Sequence, residues 1–94
     1  MAIMMIMSWP GVSLEQYDEV KGLVAWEDEA PVGGIFHATA HDGNGLRITD
    51  VWESAEDFQN FVNDRLMPGV SKVGVPGEPN VEVYPLHDIY TPGP

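Results

Sequence analysis

One pair of side chains is the strongest candidate for a chemical role, because a tight turn places the two opposite each other on neighbouring strands. The segment Asp42-Gly43-Asn44-Gly45 predicts a β-hairpin, since Gly and Asn tolerate the positive φ angles of tight turns. A four-residue loop at 42–45 and a two-residue loop at 43–44 give the same register. Counting back along both strands places His37 opposite Asp50.

The same register divides the other hairpin side chains between the two faces of the sheet, because side chains alternate along a strand. On the face of the His–Asp pair, Thr39 is expected opposite Ile48. Ile35 is expected opposite Trp52 on that face. The other face is expected to carry Phe36, Ala38, Ala40, Arg47, Thr49 and Val51. The pair is therefore expected in mostly apolar surroundings.

The His–Asp pair has two interpretations. A carboxylate beside an imidazole fixes the tautomer of the ring, which suits a general base or a proton shuttle. His37 and Asp50 are on this ground the candidate catalytic residues. Alternatively, the pair is structural, because a half-buried histidine needs a hydrogen-bond partner and a cross-strand aspartate supplies one. The sequence leaves both open.

Further side chains are candidates for contact with a substrate. Tyr17 on the inner stripe of the first helix is expected to bring a hydroxyl into the same space. Met5 is expected to offer an adaptable apolar lining. His87 is a further candidate on the last strand, whereas His41 borders the turn and is expected to be exposed. The three histidines lack metal-ligand spacing, so neither a metal site nor another cofactor is expected.

These residues lie on segments that alternate in type. Four segments have the length and apolar content of strands: residues 2–8, 35–41, 46–53 and 81–90. Ser13 and Gln16 form a capping-box pattern before a first helix with apolar residues at helical spacing through Val24. Ser54 caps a second helix, whose apolar stripe includes Phe58 and which Pro68-Gly69 is expected to stop. Residues 69–79 then form a loop, and 91–94 a flexible tail.

The order β-α-β-β-α-β predicts an α+β protein with a ferredoxin-like fold. Right-handed connections place both helices on one face of a four-stranded antiparallel sheet. The other face needs cover, and a second copy of the same sheet would supply it. Residues 1–94 are expected to form a single domain, since neither a linker nor an internal repeat is visible.

Charge and composition narrow the classes of partner. The chain has 94 residues, of which 15 are acidic and 4 basic, for a formal net charge of −11. Nucleic acids and anionic membranes are therefore not expected as partners, because both are bound through clustered Lys and Arg. There is no cysteine, which fits a reducing, cytoplasmic location. The apolar start at residues 2–7 is too short to span a membrane and does not predict a signal peptide.

The segment Asp50-Val51-Trp52-Glu53-Ser54-Ala55-Glu56-Asp57-Phe58 resembles the antibiotic-biosynthesis-monooxygenase-like proteins, a branch of the dimeric α+β barrels. Their third strand commonly ends in a Trp-Glu-Ser pattern that leads into the second helix. The resemblance in order and length covers essentially the whole chain. It implies a homodimer formed by the sheets, with an apolar cavity between sheet and helices that Trp52 would line.

The superfamily includes cofactor-free oxygenases, haem-degrading enzymes, isomerases and cyclases, so the resemblance alone does not select an activity. Comparison with the residue patterns of individual branches excludes some of these activities. The haem-degrading branch carries a Trp in the second helix and a His soon after it. Here Phe61 stands in that stretch, and no His occurs between residues 42 and 86. Haem degradation is therefore not expected. Ile48 and Phe58 stand where quinone-forming oxygenases of the group use polar groups, which argues against an oxygenase of that kind.

Three hypotheses follow. In the first, the protein is an enzyme without a cofactor that acts on a small apolar or aromatic metabolite as a monooxygenase, cyclase or isomerase. His37 would then move a proton, while Trp52 and the methionines hold the substrate. In the second, the protein is a dimeric ligand-binding or accessory protein with a structural His–Asp pair. In the third, it is a structural dimer with a filled core.

Overall fold

A computed structural model describes residues 1–92 and contains the predicted order of elements. The strands are β1 (Ile3–Pro10), β2 (Gly34–His41), β3 (Gly45–Trp52) and β4 (Asn80–Pro85). The helices are α1 (Leu14–Val24), α2 (Ala55–Phe61) and α3 (Met67–Val73), and a π-helical turn at Val62–Leu66 joins α2 to α3. Gly93 and Pro94 of the predicted flexible tail lie outside the described residues.

The four strands form one antiparallel sheet in the order β2-β3-β1-β4, and the helices pack on one of its faces. This confirms the ferredoxin-like βαββαβ prediction. β1 and β3 occupy the centre and pair along their full length, from Ile3 opposite Trp52 to Pro10 opposite Gly45. No helix within residues 1–92 has both the length and the apolar content needed to cross a membrane.

The apolar run of β1 serves both faces of the sheet. Ile3, Met5, Met7 and Trp9 are buried beneath the helices, and the alternate residues are half-buried on the outer face. The strand continues to Pro10, two residues beyond its predicted end. Gly45 permits this extension, because a Cβ at that position would lie only 2.1 Å from the carbonyl oxygen of Trp9.

The first helix begins as its sequence predicts. The Ser13 hydroxyl accepts a hydrogen bond from the Gln16 backbone N–H at 3.1 Å, and the Gln16 side chain accepts one from the Ser13 N–H at 3.0 Å. Ala25 ends the helix in the left-handed conformation, with φ of 56°. Val20 and Val24 are buried against the sheet and the second helical segment.

The prediction that Pro68-Gly69 stops the second helix is wrong. The wide π turn connects the Met67 N–H to the carbonyl of Val62, and Pro68 then falls in the first turn of α3, where a missing N–H costs little. Gly69 is a packing residue, since a Cβ there would lie 2.9 Å from Cγ2 of Val24. The loop begins only at Gly74, which ends the helix with φ of 78°.

The hairpin register is confirmed near the turn: His41 pairs with Leu46, Thr39 with Ile48 and His37 with Asp50. The predicted pairing of Ile35 with Trp52 is wrong, because a bulge inserts Ile35 as an extra residue and sets Gly34 opposite Trp52. The last strand is also shorter than predicted. It ends at Pro85 because its partner β1 begins at Ile3, which lies opposite that residue.

Candidate functional site

An apolar cavity of about 230 Å³ lies between the sheet and the helices. Met5, Ile48 and Phe58 form part of its wall, as the sequence predicts, and Trp52 lines it as the family resemblance implies. Trp52 and Phe58 contact each other with ring centroids 5.7 Å apart. Among residues 1–92, no lysine or arginine lines the cavity. The cavity thus suits an uncharged, apolar ligand, and it speaks against a filled core.

The His37–Asp50 pair lies in the wall of this cavity. Nδ1 of His37 is 2.6 Å from Oδ1 of Asp50. An ionised carboxylate only accepts hydrogen bonds, so Nδ1 is the nitrogen that donates to Asp50, and Nε2 of the neutral ring then keeps its lone pair. About a third of the His37 side chain is exposed (34%), whereas the Asp50 side chain is buried (8%). The partly exposed imidazole is thus held by a buried carboxylate.

Asp50 is fixed at both of its oxygens. Oδ2 accepts a second hydrogen bond, from Nε1 of Trp52 at 3.2 Å. Met5, the most deeply buried large side chain among the described residues, lies opposite Asp50 on β1. No buried side-chain polar atom within residues 1–92 lacks a hydrogen-bond partner. The carboxylate therefore holds His37 and Trp52 in one fixed geometry.

Tyr17 and Thr39 complete the network on the other side of His37. The hydroxyl of Tyr17 on α1 is 2.8 Å from Nε2 of His37. The hydroxyl of Thr39 donates to the Tyr17 oxygen at 2.9 Å and also lies 2.9 Å from Nε2. Because Nε2 holds a lone pair, Tyr17 donates its proton to this nitrogen. The four residues join Asp50 to the first helix by a continuous chain of hydrogen bonds.

Burial raises the pKa of the Tyr17 phenol above 10.0, and the hydrogen bond from Thr39 opposes this shift. The phenol is therefore protonated at neutral pH, as a donor to Nε2 must be. Tyr17 and His37 have parallel rings, with centroids 6.3 Å apart. The hydroxyl is thus aimed at His37 by the position of the helix.

Comparison with known proteins was informative only for the fold. No family model and no curated protein sequence matches the chain. Among solved structures, SnoaB, a cofactor-independent oxygenase from Streptomyces nogalater, superposes with a TM-score of 0.66 at 10% identity over 94% of each chain. A candidate antibiotic biosynthesis monooxygenase from Caulobacter crescentus gives 0.68 at 12% identity, over 93% of this chain and 91% of its own. A hydroxynitrile lyase from Passiflora edulis gives 0.63 at 12% identity, over 96% and 97%.

The chain has the antibiotic-biosynthesis-monooxygenase-like fold. This confirms the resemblance drawn from the Trp52-Glu53-Ser54 segment at the level of the fold. The neighbours include a lyase beside oxygenases, so the fold does not select one reaction. The chemistry must be argued from the side chains of this chain.

Two of the residues predicted to contact a substrate, Thr39 and His87, do not line the cavity. Thr39 does not line the cavity itself and acts through its hydrogen bonds to Tyr17 and His37. His87 is exposed beyond the end of β4 and is not brought to the cavity. His41, which was expected to be exposed, is so, and its Nε2 lies 3.1 Å from the carbonyl oxygen of Val12.

Sequence reasoning missed two aromatic residues in the wall of the cavity. Trp26 contacts the His37 ring edge-on with centroids 5.3 Å apart, and it also contacts Phe61 at 6.5 Å. Phe61 in turn contacts Trp52 at 5.3 Å. The helical spacing of Phe58 and Phe61 was a usable signal for the second of these. Trp26 is placed by the left-handed conformation of Ala25, and no residue pattern in the sequence predicts that conformation.

The described residues contain no group of three or more His, Cys, Asp or Glu placed to hold a metal ion. His37 and Asp50 already use each other as hydrogen-bond partners. The His37–Asp50 pair can accept, hold and return a proton at the wall of an apolar cavity.

Proposed function

We propose that this protein is an enzyme that uses only its own side chains to remove a proton from a small, neutral, apolar or aromatic metabolite, with His37 as the general base. Deprotonation of a carbon acid or a phenol is a step that cofactor-free oxygenation, cyclisation and isomerisation share. The proposal includes a monooxygenase, cyclase or isomerase reaction within that class. The cofactor-independent oxygenase SnoaB has the same fold at 10% identity.

The observation that carries the proposal is the hydrogen-bonded pair in the wall of the cavity. The Asp50 carboxylate accepts a hydrogen bond from Nδ1–H of His37, so Nε2 is the basic atom of the neutral ring. Protonation of Nε2 creates an imidazolium beside the Asp50 carboxylate, which stabilises it by charge. A preorganised carboxylate stabilises such a developing charge without reorganisation during the reaction. Met5, Ile48 and Phe58 supply the apolar surroundings.

The cavity also supports a substrate class. Its lining has no cationic side chain, and the chain carries a net charge of −11. A carboxylate or phosphate would meet no counter-charge and would be repelled at long range. The substrate is therefore neutral before it loses its proton, and it is small enough for about 230 Å³.

The test uses 5-nitrobenzisoxazole, a neutral aromatic carbon acid that opens to a coloured phenolate when a base removes its ring proton. The wild type should accelerate this elimination, and His37→Gln should lose about 100-fold or more, the lower end of what a positioned base contributes. His41→Gln is the matched control, a histidine on the same strand outside the cavity. A wild type no faster than His37→Gln would contradict the proposal.

A second candidate function is non-catalytic binding of a small ligand. It is favoured by one observation: both ring nitrogens of His37 have hydrogen-bond partners within the protein. In this case His37→Gln should lower the melting temperature and leave the affinity for a neutral aromatic probe such as 2-naphthol unchanged. The enzyme proposal predicts loss of the elimination rate instead.

We further propose that the protein forms a homodimer through the outer face of the sheet, and that it works in the cytoplasm. Phe36 and Tyr84 are 43% and 46% exposed on that face, beside half-buried Met4 and Ile6. Exposed apolar side chains on a sheet face are typical of an interface. Sedimentation equilibrium should give twice the chain mass of 10.3 kDa, and a monomer at all concentrations would contradict the proposed dimer.

A further inference from the structure

Resting on the proposed function, we infer that Tyr17 is the group that exchanges a proton with the substrate and that His37 acts behind it as the final acceptor. His37 is then a proton acceptor that the substrate does not touch. The site becomes a relay of three side chains, Asp50, His37 and Tyr17. Thr39 is a positioning residue for this relay.

The first argument is that Nε2 of His37 already has two hydroxyls within hydrogen-bond distance. An imidazole nitrogen offers a single lone pair in the plane of the ring. The Tyr17 hydroxyl lies 2.8 Å from that atom, and the Thr39 hydroxyl lies 2.9 Å from it. A C–H or O–H of a substrate reaches Nε2 only if these hydroxyls are displaced.

The second argument is that Tyr17 is held in place. Thr39 donates a hydrogen bond to its oxygen, and the ring contacts Trp26 with centroids 5.9 Å apart. Because the Tyr17 hydroxyl donates a hydrogen bond to His37 and accepts one from the Thr39 hydroxyl, its oxygen keeps one acceptor position. Tyr17 itself lines the cavity. The phenol oxygen of Tyr17 is thus an atom of the network that can still accept a hydrogen bond, and then a proton, from a substrate.

The step balances in atoms and electrons. With 5-nitrobenzisoxazole, the ring C–H bond breaks and its proton joins the Tyr17 oxygen. In the same step the Tyr17 O–H bond breaks and its proton joins Nε2. The electron pair of the C–H bond forms the nitrile as the ring N–O bond breaks, which leaves a phenolate product. The imidazolium beside Asp50 later returns its proton to water.

The state of the phenol agrees with a relay in which both protons move together. Burial raises the pKa of Tyr17, so the phenol does not ionise by itself at neutral pH. Its proton leaves only when His37 accepts it and a second proton replaces it. His37, stabilised by Asp50 once charged, is the one base within hydrogen-bond distance of the Tyr17 hydroxyl among the described residues.

The test is the solvent isotope effect on the elimination, measured as kcat in H2O over kcat in D2O on the pH-independent plateau. The substrate C–H proton does not exchange with solvent, whereas the Tyr17 proton does. The relay therefore predicts a ratio well above one for the wild type and for the control Tyr90→Phe. Tyr17→Phe should lose about tenfold or more in kcat, a modest share of what a positioned acid–base group contributes, with little change in KM.

A wild-type ratio near one, or a Tyr17→Phe variant as fast as the wild type, would overturn the relay. If His37→Gln is inactive in the same assay, the proposed function survives that result. If His37→Gln is active, the proposed function fails and the relay fails with it. The wild-type ratio needs no variant, so the relay stays testable even if Tyr17→Phe unfolds. Thr39→Val, which keeps the shape of the side chain, should lower kcat less than Tyr17→Phe.

Discussion

Replacing Asp50 with asparagine tests the hydrogen-bonded network at its buried end. The carboxylate accepts from Nδ1 of His37 and from Nε1 of Trp52. An amide offers one oxygen acceptor, and its NH2 group then faces the second donor. The conflict is relieved when His37 moves its proton from Nδ1 to Nε2. That change removes the lone pair from Nε2, so the elimination of 5-nitrobenzisoxazole should fall as far as in His37→Gln.

The expected loss of stability follows from the two hydrogen bonds. A hydrogen bond to a charged group contributes about 1.5–3 kcal/mol net and a neutral one about 0.5–1.5 kcal/mol. Two bonds that change from the first kind to the second therefore cost about 2 kcal/mol. For a domain of this size each kcal/mol shifts the melting temperature by about 4–8 °C, so Asp50→Asn should melt about 8–16 °C lower.

The assay is thermal unfolding followed by circular dichroism at neutral pH. Asp88→Asn is the matched control, because Asp88 is exposed beyond β4 and the change in charge is the same. The control should melt with the wild type. An Asp50→Asn variant that melts with the control and keeps the wild-type elimination rate would refute the network in solution.

Three other changes test the fold and its charges. Gly69→Ala should lower the free energy of unfolding by about 1–3 kcal/mol in urea, because its Cβ would overlap Val24. Gly22→Ala is the control: its Cβ meets nothing within 4 Å, so it should stabilise α1 by about 0.5–1 kcal/mol. The reverse order of stabilities would contradict the α1–α3 contact. The Arg47 side chain, with the backbone N–H groups of the turn, lowers the pKa of Asp42 from 3.8 to about 2. The stability that the ionised Asp42 carboxylate contributes is therefore present above pH 3.8 and lost as pH falls toward 2. A carboxyl titration by NMR should show that midpoint, Arg47→Gln should move it upward, and a wild-type midpoint near 3.8 would be inconsistent with the ion pair. Burial raises the pKa of Tyr17, so the midpoint of its phenolate absorbance should lie above pH 10.0 and stability should fall as pH rises past that value. A midpoint below pH 10.0 would count against a buried phenol.

The sequence was enough to predict the His37–Asp50 pair, because one short turn fixes the register of the hairpin. Asp42 folds back on the turn by accepting from the N–H groups of Asn44 and Gly45, so local chemistry alone sets the pairing. Alternation along the strands then assigns faces. The same logic failed at Ile35, because a bulge changes the count without a signal in the side-chain pattern.

The second helix shows a different limit of sequence reasoning. Pro68 and Gly69 are strong local signals for the end of a helix, and tertiary packing overrides both. A π turn removes the conflict at Pro68, and contact with Val24 explains Gly69. The sequence predicted that Tyr17 brings its hydroxyl into this space, but it did not predict the hydrogen bond to His37. That bond depends on where α1 lies across β2, which neither segment specifies alone.

The measurement that tests the central claim most directly is the protonation of the His37 ring, read by NMR on nitrogen-15-labelled protein with and without benzoxazole, an unreactive neutral aromatic. The account predicts a protonated Nδ1, an unprotonated Nε2, and saturable shifts at His37 and Tyr17 as benzoxazole is added, with His87 unchanged. A proton on Nε2, or a His37 ring that does not respond to benzoxazole, would contradict the claim that His37 is the base of a ligand-binding cavity.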